Sequence, residues 1–499
     1  MYLSKLYGHS LTLLTDLYQL TMAYGYWKQG RQHDEAVFHQ FFRQNPFGGG
    51  YAIAAGLGTL VEYMRDFHFD SEDLEYLSSL QGNDGKPLFE QGFLDYLKHL
   101  TFTCDVDAVP EGSVVFPHEP LVRIRGPLIQ CQLLESALLN IINFQTLIAT
   151  KSARICEAAK GEPVLEFGLR RAQGIDGSIM ASRAAYIGGC SATSNVLAGK
   201  LLDIPVKGTH AHSWIMSYDS EMEAFEEYAE AMPNNCVFLV DTYDTIEGVK
   251  NAVKVGKKLR ERGHEMVGIR LDSGDLAYLS IAARRILNNA GFENAKIVAS
   301  NGLDEHTIKS LKSQGALIRL WGVGTNLVTA KGQPALGGVY KLSAIKREGG
   351  EWEPRIKLSE QRIKISNPGY LQVRRFFDGN EYRGDMIYNE HQGDPGTTIV
   401  DPMDNTRRTK LDFDQSIDML QSVFRGGLGD SVVETYQEEP LDAIKQRAQR
   451  EKARFHGGVR RFTNPHQYPV GLSKPLDELR TQLILEARGH GDDERSTSV

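Results

Sequence analysis

CVFLVDTYDTIEGVKNAVKVGKKLRERGHEMVGIRLD, residues 236–272, decides the fold. A short apolar run, VFLV, ends at Asp241 and Thr242. DTIEGVKNAVKVGKKLRERG then repeats its apolar residues every three or four positions, the pattern of a helix with one face on a sheet. A second apolar run, MVGIRL, follows and ends at Asp272. Strand, helix, strand in that order is a βαβ unit with parallel strands.

The alternation extends in both directions. VLEFGLR (164–170) and IPVKGT (204–209) precede the two runs, and AKIVASN (295–301) and RLWGVGT (319–325) follow them. DLAYLSIAARRILNNAG (275–291) is a further helical pattern, with Asp275 placed to cap it. Each run turns polar at its C-terminal end: Arg170 and Arg171, Thr209 and His212, Asp241 and Tyr243, Arg270 and Asp272, Ser300 and Asn301, Thr325. An open parallel sheet places polar groups chiefly beside one switch point, whereas a barrel gathers them from every strand end. Six such ends in succession favour a barrel.

The flanks are less regular. LTDLYQLTMAYGYWKQG (14–30) reads as a helix capped by Thr15 or Asp16. VVFPHEPLVRIRG (114–126) reads as short strands, and residues 131–161 resume helical periodicity up to a glycine. Residues 346–380 read as strands and turns, and ARGHGDDERSTSV (487–499) as a disordered tail. The reading gives an N-terminal α/β domain at 1–130, the barrel at 131–345 and a C-terminal region at 346–499.

Composition narrows the function. A net charge of −8 disfavours a broad nucleic-acid surface. No apolar run reaches the roughly 18 residues of a membrane span. Five scattered cysteines without a C-x-x-C pair read as reduced thiols of a cytoplasmic protein.

Four stretches carry candidate chemistry. GVGTNLVT (322–329) suits either a phosphate-binding turn or a plain tight turn. In GIRLDSGDL, Arg270 and Asp272 share a strand face, and they read as an anion and ribose site or as a buried ion pair. In EFGLRRAQG, Phe167 offers a ring for stacking or fills the core, while one of Arg170 and Arg171 faces the rim and the other solvent or a partner. In GTHAHSW, His210 and His212 lack the companions of a histidine metal site. They read as structural, or as a phosphoryl-accepting nucleophile.

With these stretches and LVDTYDT, in this order, the chain resembles the nicotinate phosphoribosyltransferases from LTDLYQLTMAYGYW to GGVYKL. The resemblance implies an incomplete TIM-like α/β barrel with a second α/β domain formed by the N-terminal part and some post-barrel chain. It implies formation of nicotinate mononucleotide and pyrophosphate from nicotinate and phosphoribosyl pyrophosphate, a ligase-type reaction coupled to ATP hydrolysis in NAD biosynthesis. Mg²⁺ and a homodimer with sites at the subunit interface come with it, the metal ligands being left open. By motif, His212 is the catalytic histidine that ATP phosphorylates. Thr209 contacts nicotinate, Tyr18 reaches it from the partner subunit and Phe167 stacks on it. Arg270 and Thr325 contact phosphoribosyl pyrophosphate, and Asp272 the ribose. His210 stands where the family varies and receives no role.

Arg170 and Arg171 supply two cations where the nicotinamide enzymes resemble one arginine followed by glycine. A second guanidinium favours the carboxylate of nicotinate over an amide. The alternatives are nicotinamide as substrate, an ATP-independent quinolinate enzyme, and a non-catalytic nucleotide-binding sensor.

Overall fold

The computed structural model describes residues 6–426 and 432–489. The tail predicted to be disordered lies, from residue 490 on, outside the described residues. The chain forms two compact units, one spanning residues 148–334 and the other built from chain on both sides of it.

The middle unit holds a six-stranded parallel sheet. Its strands are Val164–Glu166, Ala192–Thr193, Val237–Leu239, Gly268–Leu271, Lys296–Ser300 and Leu320–Val323. The last strand pairs with the first, Trp321 opposite Val164 and Val323 opposite Glu166. That pairing is what bends a sheet into a barrel. Among the described residues no strand pair joins Ala192–Thr193 to Val237–Leu239, so the barrel is incomplete.

The gap corrects one expectation. IPVKGT does not form a full strand; Val206 makes a single parallel bridge with Thr193. The N–H of Thr193 donates to the Pro205 carbonyl and the N–H of Lys207 to the Thr193 carbonyl, both at 3.0 Å. Pro205 has no N–H to offer a ladder, which confines it to an edge. The chain then leaves through Gly208. The strand that the sequence reading missed, Ala192–Thr193, is two residues long and carries no apolar run.

Strand residues such as Phe238, Ile269, Ile297 and Trp321 are wholly buried. Burial on both faces explains why these strands read as continuous apolar runs. The helix Thr245–Glu261 starts at Asp244, whose carboxylate accepts the Glu247 N–H at 2.9 Å. It lies so close to its strand that a Cβ on Gly248 would sit 2.1 Å from the Val240 carbonyl oxygen. Asp275 caps Leu276–Asn289 as expected, accepting the N–H groups of Ala277 at 3.1 Å and Tyr278 at 3.0 Å.

The other unit is the second α/β domain. Strand Glu35–Phe42 lies between Val122–Pro127 and Gly338–Lys346, antiparallel to both, so N-terminal and post-barrel chain share one seven-stranded sheet. A six-stranded sheet is built wholly from later chain, around the hairpin Leu371–Asp378 and Glu381–Asn389. The N-terminal helix is Leu17–Lys28. Asp16 holds its cap position, but its carboxylate accepts the Ser136 hydroxyl at 2.6 Å instead of a helix N–H. All five cysteines are free thiols. No described helix is long and apolar enough to cross a membrane.

Candidate active site

Arg270 organises the C-terminal end of the barrel. Its Nε donates to Ser300 Oγ at 2.7 Å, its Nη1 to Thr209 Oγ1 at 3.1 Å and its Nη2 to Asp272 Oδ1 at 2.8 Å. Three of the five guanidinium N–H donors are so used, and a planar fork held at three points is fixed in orientation. The Ser300 hydroxyl donates to Asp272 Oδ1 at 2.5 Å and closes the ring of bonds. The side chains of Arg270 and Asp272 keep 15% and 25% of their surface exposed. The pair is therefore an ion pair that still reaches solvent at the rim.

His212 opens the short helix His212–Met216. Its Nδ1 lies 3.0 Å from Thr242 Oγ1, and its Nε2 lies 3.9 Å from Asp272 Oδ2. The imidazole is 40% exposed, between the Thr242 hydroxyl that orients it and the Asp272 carboxylate. Asp241 supports the same corner. Its Oδ2 accepts the Asp272 N–H at 2.8 Å and the Ser273 hydroxyl at 2.6 Å.

Phe167 follows the first barrel strand, and its N–H donates to the Val323 carbonyl at 2.8 Å. The ring lies against the backbone of Gly322, where a Cβ would come within 2.6 Å of it. The Arg270 guanidinium carbon is 5.7 Å from the ring centroid. The ring is half-buried, which makes it a wall of the rim and not a core filler. The buried Glu166 secures this turn. It accepts the Gly168 N–H, the Ser182 hydroxyl at 2.8 Å and the Thr193 hydroxyl at 2.6 Å.

Phe167, Thr209, His212, Arg270 and Asp272 are thus brought together. Arg170 and Arg171 lie on the 3₁₀ turn Leu169–Arg171, and both are exposed. Both side chains are therefore open to solvent or to a ligand. Thr325 is exposed at the start of the four-residue helix Thr325–Val328. Tyr18 belongs to the other unit and is 50% exposed.

Ser300, Thr242 and Glu166 were not singled out as site residues from the sequence. Ser300 and Thr242 follow apolar runs as single hydroxyls, a signal too common to weigh alone. Among the described residues no group of three or more His, Cys, Asp or Glu is arranged to hold a metal ion. Oδ1 of Asp241 is buried without a hydrogen-bond partner. That donor set suits Mg²⁺, which usually keeps water and substrate phosphates and takes one or two carboxylates.

Fold and rim define a class: a parallel α/β barrel that gathers an arginine, hydroxyls, carboxylates and a histidine beyond its strand ends. Three family models match the chain. They are the nicotinate phosphoribosyltransferase N-terminal domain at residues 13–143, the nicotinate phosphoribosyltransferase family at 163–359 and the C-terminal domain at 371–480. A nicotinate phosphoribosyltransferase of Bacillus subtilis is 44% identical over 491 residues, covering 97% of each chain. One from Dictyostelium discoideum is 38% identical, covering 97% of this chain and 90% of its own. The crystal structure of human nicotinic acid phosphoribosyltransferase superposes with a TM-score of 0.82 at 33% identity, covering 94% of this chain and 99% of its own. The chain belongs to the nicotinate phosphoribosyltransferase family.

Proposed function

We propose that the chain joins nicotinate to phosphoribosyl pyrophosphate, forming nicotinate mononucleotide and pyrophosphate, and that ATP drives the reaction through a phosphohistidine at His212. The observation that carries the reading is the Arg270–Ser300–Asp272–Thr209 network beside an oriented, accessible His212.

The pyridine nitrogen of nicotinate is itself the nucleophile. It attacks ribose C1 as the bond to pyrophosphate breaks, so no strong base is required. Arg270 would bind the anionic co-substrate with its remaining N–H donors, and Asp272 would accept a ribose hydroxyl. Phe167 would stack one face of the pyridine ring, and Thr209 would hold it from the loop. Thr325 would contact phosphoribosyl pyrophosphate from the turn after the last strand. Arg170 and Arg171 would favour a carboxylate substrate. Bound Mg²⁺ would neutralise charge on the departing pyrophosphate; Asp241 and Asp272 are the carboxylates suited to hold it.

In the ATP half-reaction a ring nitrogen of His212 attacks the γ-phosphorus and ADP departs; water later cleaves the N–P bond to release phosphate. Phosphorylation near the rim adds negative charge beside Arg270 and shifts the site toward a state with tighter substrate binding. The half-exposed Tyr18 fits a residue that completes the site of a partner subunit, in a homodimer. The test is labelling with γ-phosphate-labelled ATP. Acid-labile label on the wild-type protein and none on His212→Ala supports the reading; equal label on both contradicts it.

A further inference from the structure

His210 is left without a role by the reaction above, yet it is the buried member of its loop. Gly208 and Ala211 are exposed and Thr209 is half-buried, while His210 keeps 8% of its surface. The loop crosses the open side of the barrel, where among the described residues the strand Val237–Leu239 has no neighbouring strand on one edge. The Val240 N–H donates to the Arg270 carbonyl at 3.2 Å, so strand alternation turns the Leu239 N–H outward, toward that edge. It donates to His210 Nε2 at 3.3 Å. A side chain thus takes the place of the carbonyl that a neighbouring strand would have supplied.

The ring is held from behind. Tyr228 meets it edge-on with centroids 4.8 Å apart, and Phe225 lies at 6.2 Å. Burial, against a backbone hydrogen bond with Ala211 and helped by the nearby Arg270 guanidinium, lowers the imidazole pKa to about 4. The ring is therefore neutral at pH 7. With Nε2 accepting, the proton rests on Nδ1, which is buried without a hydrogen-bond partner. An apolar residue would avoid that cost but leave the Leu239 N–H unpaired. Thr209 next to it and His212 two positions on are the residues that bond Arg270 and Thr242.

The geometry points to His210 as a positioning residue: its Nε2 pins the loop to the Leu239 N–H across the barrel gap and so sets Thr209 and His212 on the rim. This rests on the reading of His212 as the phosphoryl acceptor.

The test compares full-length wild type, His210→Leu and His210→Gln by amide hydrogen exchange and by ATP stimulation of mononucleotide synthesis. Loss of one hydrogen bond corresponds to about tenfold in an equilibrium. His210→Leu should speed exchange at Leu239 and at 208–213 by about tenfold and cut ATP stimulation by a similar factor, with Ile269 and Ile297 unchanged. His210→Gln, whose amide oxygen can accept the same N–H, should restore most of both. Wild-type stimulation in His210→Leu overturns the proposal, as does a Gln variant that regains protection without stimulation. Loss of protection throughout the barrel in His210→Leu makes the residue merely structural and also overturns it. A wild-type protein that ATP does not stimulate overturns the reading of His212 instead. His210 is then judged by the KM for nicotinate, and an unchanged KM in His210→Leu rejects it.

Discussion

The Nδ1 atom of His212 lies 3.0 Å from the hydroxyl of Thr242, three residues past the strand Val237–Leu239. A ring held through one nitrogen has a fixed plane, and the other nitrogen then faces Asp272 at 3.9 Å. Thr242→Val keeps the shape and removes the bond. The expected result is a fall of about tenfold in the rate of His212 phosphorylation, since one hydrogen bond is worth about that factor. Rapid-quench labelling with ATP measures it directly.

Gly322 makes room for Phe167. A Cβ there would come within 2.6 Å of the ring, and the ring would have to move. Gly322→Ala should raise the KM for nicotinate about tenfold, the scale of a lost aromatic stack, and the KM for phosphoribosyl pyrophosphate much less. Steady-state kinetics with each substrate varied in turn separates the two.

Arg171 is exposed on its turn and available to an anion. Arg171→Ala should lower kcat/KM for nicotinate by roughly ten- to a hundredfold, the range of a charge-assisted bond, without improving the use of nicotinamide as much. Equal loss on both compounds would assign Arg171 to something other than choice of the carboxylate.

His210 also predicts a pH dependence of stability. Its folded pKa of about 4 lies below the ordinary 6.5. As pH falls from 6.5 the unfolded chain takes up the proton first. The stability tied to the neutral ring is therefore complete above pH 6.5 and is lost as pH falls toward 4. His118 in the other unit, also lowered to about 4 by burial, acts in the same direction. Denaturant unfolding across this window should show His210→Gln losing less stability than wild type, by up to about 3 kcal/mol.

The barrel was legible because its strands are buried on both faces and therefore read as apolar runs, with polar residues at one end only. Asp275 announced its helix for a local reason, a carboxylate just ahead of an apolar pattern. The strand Ala192–Thr193 left no such trace, being two residues long, and Pro205 gave IPVKGT the look of a strand it does not complete. Within the site, Arg270, Asp272 and His212 stood out as charged residues at strand ends. Thr242 and Ser300 did not, because a lone hydroxyl carries its meaning only through the atom it faces. His210 is the extreme case: its role depends on a strand that is missing, which no local pattern records. The helix Leu441–Ala453 buries only Ile444 and Ala448, and a stripe that thin gives little periodicity to read.

The most direct test of the account is mononucleotide formation by the purified protein. It is supplied with phosphoribosyl pyrophosphate, Mg²⁺ and either nicotinate or nicotinamide, with and without ATP. The account predicts nicotinate mononucleotide, raised by ATP, and little product from nicotinamide. Product from nicotinamide in preference would contradict the role given to Arg171, and no product from either would contradict the assignment of the rim as a phosphoribosyl-transfer site.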